Sequence, residues 1–197
     1  MKYPSKYPLK YKAQQAGFSL IELLVALVII TILATAISAA FDGTHSRAQA
    51  LVVQMTEVGN ANIRLKNDTG CYVSMPEALY DPASAAAPSN NYCGSTFGMV
   101  WNGPYVNRFT PDASGNATVP KVSANAVLSY GQTPSPTGGV IYYVHANLVP
   151  NDIVKQAMQT CNDTDDMTVT FATSKCMGAL STSGLNGTFD MQYDETR

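Results

Sequence analysis

Residues 18–41 read FSLIELLVALVIITILATAISAAF, a run in which Glu22 is the only ionisable side chain. A helix of about 24 residues reaches across the roughly 30 Å hydrocarbon core of a bilayer. The preceding stretch, MKYPSKYPLKYKAQQAG, holds Lys2, Lys6, Lys10 and Lys12 and no acidic residue. The positive-inside rule therefore puts residues 1–17 in the cytoplasm and everything after Phe41 outside. Across all 197 residues 46% are hydrophobic and only 13% charged, and this run accounts for much of that imbalance. The length excludes a large multidomain enzyme, and a mean hydropathy of −0.03 excludes a polytopic membrane protein. Of 12 basic side chains four precede Gly17, so the chain beyond it carries eight against 14 acidic ones, a net charge of −6 with His neutral. A surface of that sign does not draw nucleic acid through bulk electrostatics, and no nucleic-acid site is evident.

A secretory signal peptide has an apolar region of about 7–15 residues followed by a small-residue cleavage site. The run here is longer, although Ala34, Ala36, Ser38, Ala39 and Ala40 leave cleavage near its end open. A plain signal anchor explains neither the glycine between basic leader and apolar run nor the carboxylate at the fifth position after it. An acidic side chain costs about 2.5–3.5 kcal/mol at the centre of a membrane helix, and less near an end. Glu22 is therefore either protonated in the membrane or partnered.

The stretch Gly17-Phe18-Ser19-Leu20-Ile21-Glu22-Leu23-Leu24-Val25 resembles the processing and assembly motif of type IV pilins and type II secretion pseudopilins. The resemblance implies that a prepilin peptidase cuts after Gly17 and that Phe18 becomes the methylated amino terminus. It also implies that Glu22 sets the register between subunits. The physics is compatible, because the new amine at Phe18 and Glu22 lie one helical turn apart on one face. The amine is disfavoured at the positive end of its own helix, whereas the carboxylate is favoured there. A helix staggered along the axis can bring its own Glu22 to that amine, and in a low-dielectric medium the charges pair strongly. One departure is visible. The glycine and proline that commonly break this helix in type IV pilins are replaced by Thr31 and Ala39.

Helical spacing continues past Phe41, with Ala48, Leu51, Val52, Met55, Val58, Asn62 and Leu65 on one stripe and Gly70 beyond a plausible stop. The expected helix from Phe18 to about Lys66 is about 70 Å long. Its apolar half is stable only in a bilayer or in a bundle of like rods. Ala126–Tyr130, Val140–Val144 and Met167–Thr173 read as strands, a short helix is expected near Ser74-Met75-Pro76-Glu77, and another from Asn151-Asp152 to Thr160. The expected fold class is α+β, with a protruding apolar half-helix and an amphipathic half packed on a small antiparallel sheet. Its parts are a leader at 1–17, a membrane and assembly segment at 18–41, the amphipathic half-helix at 42–69 and a head at 70–197.

Cys71, Cys93, Cys161 and Cys176 allow three pairings. Proximity favours Cys71–Cys93 and Cys161–Cys176, the resemblance implies the second of these, and a cross-pairing stays open. An exported domain meets the oxidising conditions in which disulfides persist. The cysteines include no CxxC pair, which disfavours zinc. Asp163, Asp165 and Asp166 form an acidic cluster that is a weak candidate for calcium, with a solvated turn as its plainer role. Tyr92, Phe97, Trp101, Tyr105 and Phe109 are expected to form the small core of their own loop. His45 and His145 have no evident nucleophile or ligand partner, and neither a G-x-S-x-G nor a glycine-rich phosphate loop occurs. No enzyme and no cofactor are expected.

The function implied is that of a structural subunit polymerising with copies of itself into a type IV pilus. Its other partners are the prepilin peptidase, the membrane and an inner-membrane assembly machinery. It would start as a single-pass inner-membrane protein with a cytoplasmic N-terminus and end in an extracellular filament. The alternatives are a type II secretion pseudopilin, which shares the motif, and a signal-anchored extracytoplasmic binding module that never polymerises.

Overall fold

The computed structural model describes residues 19–40, 43–97 and 100–196. The chain divides into two units, Met1–Asp42 and Gly43–Arg197. The expected unbroken helix crosses Phe41 and Asp42, and the expected cleavage bond joins Gly17 to Phe18; these residues lie outside those described.

The first unit contains helix α1 (Leu20–Ala40). From Leu20 to Ile32 its large apolar side chains are between 48% and 84% exposed, on every side of the helix. A helix that is apolar all round has no solvated face and needs an apolar surrounding. Thr31 hides its polarity by donating its hydroxyl to the Val28 carbonyl at 2.8 Å. Among the described residues no helix is long and apolar enough to cross a membrane. The span expected over 18–41 begins and ends on residues that are not described.

The second unit is built on helix α2 (Gly43–Thr69). Ala48, Leu51, Met55, Val58 and Leu65 are buried as their spacing predicts, and so are Gly59 and Ala61. Gly70, at φ 83°, ends the helix by donating its N–H to the Lys66 carbonyl at 2.7 Å, the left-handed cap that a side chain resists. After two short 3-10 turns and a one-turn helix α3 (Pro82–Ala85), the chain enters a five-stranded antiparallel sheet of order β1-β2-β3-β5-β4. The strands are β1 (Ala117–Thr118), β2 (Val127–Pro134), β3 (Val140–Pro150), β4 (Cys176–Ala179) and β5 (Asn186–Thr196). Helix α4 (Asn151–Asn162) follows β3 directly. The inner face of the sheet contributes Leu128, Val144, Ala146, Phe189 and Met191, and α4 contributes Ile153, Val154, Ala157 and Met158. Both pack against the stripe of α2. Full burial of each large apolar side chain stabilises by about 1.5–3 kcal/mol. The fold is α+β, with α2 laid on a small antiparallel sheet and two disulfide-closed loops.

The segment Met167–Thr173 does not form the strand its alternation predicts. It follows α4 inside the loop closed by Cys161 and Cys176, and Thr173 and Ser174 donate their N–H groups back to the Thr170 carbonyl in a turn. Its alternation is satisfied by packing instead, since Met167 and Val169 touch the core and Phe171 stacks on Tyr143. The strand beside β3 is β5, where Phe189, Met191 and Tyr193 alternate with Asp190, Gln192 and Asp194.

Tyrosines close the far end of α2. Tyr72, Tyr92, Tyr130, Tyr142 and Tyr193 form one ring cluster, with the Tyr72 and Tyr142 centroids 4.3 Å apart. Burial raises the pKa values of Tyr92, Tyr130 and Tyr193, so all three stay neutral. Gly59 is where α2 meets this cluster, and a Cβ placed there would lie 2.7 Å from the Cβ of Tyr193. Alanine normally stabilises a helix interior by about 1 kcal/mol relative to glycine. Gly59→Ala is expected to destabilise the head instead, by about 1–3 kcal/mol, because the neighbouring atom is a fixed Cβ rather than a movable tip. A denaturant midpoint that rises in this variant would refute the close packing.

Candidate functional site

Assembly chemistry was expected at the start of α1, and there the structure adds a local role for Glu22. Ser19 precedes the first helical residue, and its hydroxyl accepts the Ile21 N–H at 3.4 Å. Glu22 Oε2 reaches back to accept the Ser19 N–H at 3.2 Å. Together these contacts make a capping box, in which two of the helix's unpaired donors are satisfied by side chains. The signal, Ser-x-x-Glu before an apolar run, is present in the sequence at Ser19 and Glu22. The carboxylate also sits at the positive end of the helix dipole. Glu22 is thus pre-positioned at the helix start with Oε2 engaged.

The disulfides pair as proximity suggests. Cys71 and Cys93 have Cα atoms 6.1 Å apart, and Cys161 and Cys176 6.2 Å apart. The first ties the chain leaving α2 to the loop after α3, and the second ties the last turn of α4 to the start of β4. On the chain-entropy account each contributes about 3 kcal/mol.

The acidic cluster is used locally. Asp163 takes a left-handed conformation (φ 57°) and ends α4 by donating its N–H to the Gln159 carbonyl at 3.1 Å. Asp166 Oδ1 accepts the Thr168 N–H at 2.8 Å and its hydroxyl at 2.7 Å, which lowers the pKa of this carboxyl. Asp163, Asp165 and Asp166 are all exposed. Among the described residues no group of three or more His, Cys, Asp or Glu side chains is arranged to hold a metal ion.

The aromatic loop packs on its own fold. Phe97 is buried, Trp101 donates its indole N–H to the Ala78 carbonyl at 3.1 Å, and Tyr105 gives its hydroxyl to Asp68 at 2.7 Å. Arg64 of α2 donates to the Tyr105 carbonyl at 2.7 Å, so the loop is fastened to the end of that helix.

His145 is not isolated as its sequence surroundings suggest. Its Nδ1 lies 2.5 Å from Asp190 Oδ1, across the β3–β5 ladder. Ser129 sits opposite His145 on β2, so the three residues fall in one row across the sheet. The hydrogen bond that the imidazole makes goes to Asp190. Residues 145 and 190 are far apart in sequence, and only the antiparallel register of two long strands brings them together.

Asp190 raises the pKa of His145 above its ordinary 6.5, and burial opposes this only in part. A raised folded-state value means that the pair contributes fully below the unfolded pKa and loses its contribution as pH rises through the folded one. The stability difference between the native chain and Asp190→Asn is therefore expected to shrink from about pH 6 to about pH 8.5. Denaturant titrations of both chains at the two pH values check this, and a constant difference would contradict it.

Residues 12–38 match the family model described as the prokaryotic N-terminal methylation motif. It is the prepilin signal shared by type IV pilins and pseudopilins. No curated protein and no solved structure matches the chain.

Proposed function

We propose that the chain is a structural subunit of a type IV pilus, cleaved after Gly17 by a prepilin peptidase, methylated at Phe18 and polymerised through its N-terminal helix. The observation that carries this is the methylation motif at 12–38, set on a helix that is apolar on every described side. Such a helix requires a bilayer before assembly and like helices after it. In this reading residues 18–41 cross the inner membrane with the leader in the cytoplasm, and the filament is extracellular. An inner-membrane machinery extracts the subunit, and adhesion, motility or DNA uptake belongs to the polymer. Two disulfides and long surface loops favour an exposed filament over the short periplasmic fibre of a pseudopilin.

Glu22 has two separable jobs here, capping its own helix and pairing with the amine of a neighbour. Glutamine preserves the first, because it still accepts the Ser19 N–H, and removes the charge needed for the second. Glu22→Gln is expected to be processed and inserted normally yet to yield few or no filaments, and Glu22→Ala to lose the cap as well. Filaments at native yield from Glu22→Gln would remove the charge pair from the mechanism.

Intact-mass analysis of native membranes and of sheared surface material tests the whole reading. The expected result is a chain starting at methylated Phe18 and present in the sheared fraction. The same start confined to membranes would favour the pseudopilin. A start at Met1 would favour an anchored module that does not polymerise.

A further inference from the structure

At the end of the head where α2 begins, two large apolar side chains stand in water: Leu148 is 42% exposed and Leu185 87% exposed. Leu148 lies in the irregular stretch of β3 between Ala146 and Val149, at φ 56°, a left-handed conformation that a branched side chain seldom adopts. It donates its N–H to Asn147 Oδ1 at 2.8 Å, which holds the backbone there. Leu185 ends the loop before β5, and Asn151, the first residue of α4, fastens that loop. Asn151 donates its backbone N–H to the Leu185 carbonyl at 2.9 Å and its side-chain amide to the carbonyls of Ser181 at 3.2 Å and Gly184 at 3.3 Å. Its Oδ1 accepts the Ser181 N–H at 3.2 Å. At both leucines the backbone is fixed while the side chain is left outside the core.

Both stand level with the first turn of α2. Pro150 pairs with Asn186, which places the end of β3 beside Leu185. Directly after Pro150, Asp152 of α4 accepts the Thr44 hydroxyl at 3.3 Å. The lengths of the elements agree, because Tyr193 of β5 packs against Gly59 of α2. From Tyr193 back to Leu185 the strand covers about 26 Å, and from Gly59 back to Gly43 the helix covers about 24 Å.

Gly43 is two residues beyond Phe41, the last residue of the apolar run. We propose that this end of the head is a lipid-contacting rim, whose Leu148 and Leu185 enter the interfacial layer of a phospholipid bilayer before assembly. The proposal rests on the reading that residues 18–41 cross the membrane. Chain continuity then keeps the first turn of α2 at the headgroup layer, about 5–8 Å thick on each side of the hydrocarbon. For a chain already anchored, the second contact is intramolecular, so two leucines suffice where they would not hold a free protein on a membrane. Arg47 and Lys155, exposed one turn beyond Thr44 and Asp152, can extend their charged ends to lipid phosphates. The exposed carboxylates of Asp163, Asp165 and Asp166, which an anionic surface repels, lie at the other end of α4.

The test uses the full chain, one copy per lipid nanodisc of phosphatidylethanolamine and phosphatidylglycerol, with labelled leucine and valine methyls followed by nuclear magnetic resonance. A doxyl-labelled fatty acid reports contact with lipid, and a soluble gadolinium chelate reports contact with water. Val100 is the control within the head, being 53% exposed in the loop fastened to the far end of α2. The doxyl label is expected to relax the Leu148 and Leu185 methyls at least about fivefold faster than those of Val100, and the chelate to relax them more slowly. Leu185→Ser is expected to reduce the effect of the lipid label on Leu148 by about twofold or more, and Leu148→Asn to do the same at Leu185. Both sites are on the surface and asparagine accepts a positive φ, so the denaturant midpoints should stay unchanged. Leu148 and Leu185 relaxing like Val100 while Leu27 of α1 is strongly relaxed by the lipid label would overturn the rim and leave the membrane span intact. An unaffected Leu27 would remove the span and the rim with it. Shielding from the chelate that appears only when two chains share a disc would overturn the rim in favour of contact with a second copy.

Discussion

One face of α2 has to be covered, and the head is arranged around that need. From Ala48 to Leu65 the stripe is buried apart from the partly exposed Val52, and sheet, α4 and the loop after the helix each cover a part of it. The single polar member, Asn62, is fully buried and has no loose end. Its amide donates to the Val73 carbonyl at 3.0 Å and to the Tyr193 hydroxyl at 2.9 Å, and its carbonyl accepts the Val73 N–H at 3.0 Å. The side chain acts as a strand neighbour for Val73 and ties the chain leaving the helix back onto it. Buried polar groups satisfied in this way fix a unique arrangement as well as adding stability.

α1, almost wholly apolar, and α2, largely polar, answer to different surroundings. α2 divides into wet and dry sides, and its dry side is met by its own chain. The described side chains of α1 have no such division, and the polar groups there turn inward on the helix itself: Thr31 bonds to the preceding turn and Glu22 bonds to Ser19. A carboxylate held by its own backbone has less side-chain freedom left to lose when an opposite charge approaches, which is how a pre-positioned group favours association.

Much of this was legible in the residues. The stripe of α2, the stop at Gly70, the helix after β3 and the start of β2 follow from spacing and turn chemistry. Both disulfides follow from proximity. What escaped depends on long-range register. Met167–Thr173 alternates as a strand does, yet inside a closed loop it has no ladder to join. β5 alternates as clearly at Phe189, Met191 and Tyr193, but its aspartates hid the pattern. His145 acquires meaning only when β5 lies beside β3, and no local window contains both.

The place of β5 in the sheet has a consequence for the order of events. Residues 186–196 occupy an interior position, between β3 and β4. A chain delivered in sequence order therefore exposes the stripe of α2 and one edge of β3 until this segment arrives. An open strand edge beside an uncovered apolar helix invites pairing with other chains. The head thus completes late, on contacts of long sequence separation, which fold slowly. Until then the stripe of α2 and the open edge of β3 are the surfaces through which incomplete heads would meet, and the last strand of the sheet removes both at once.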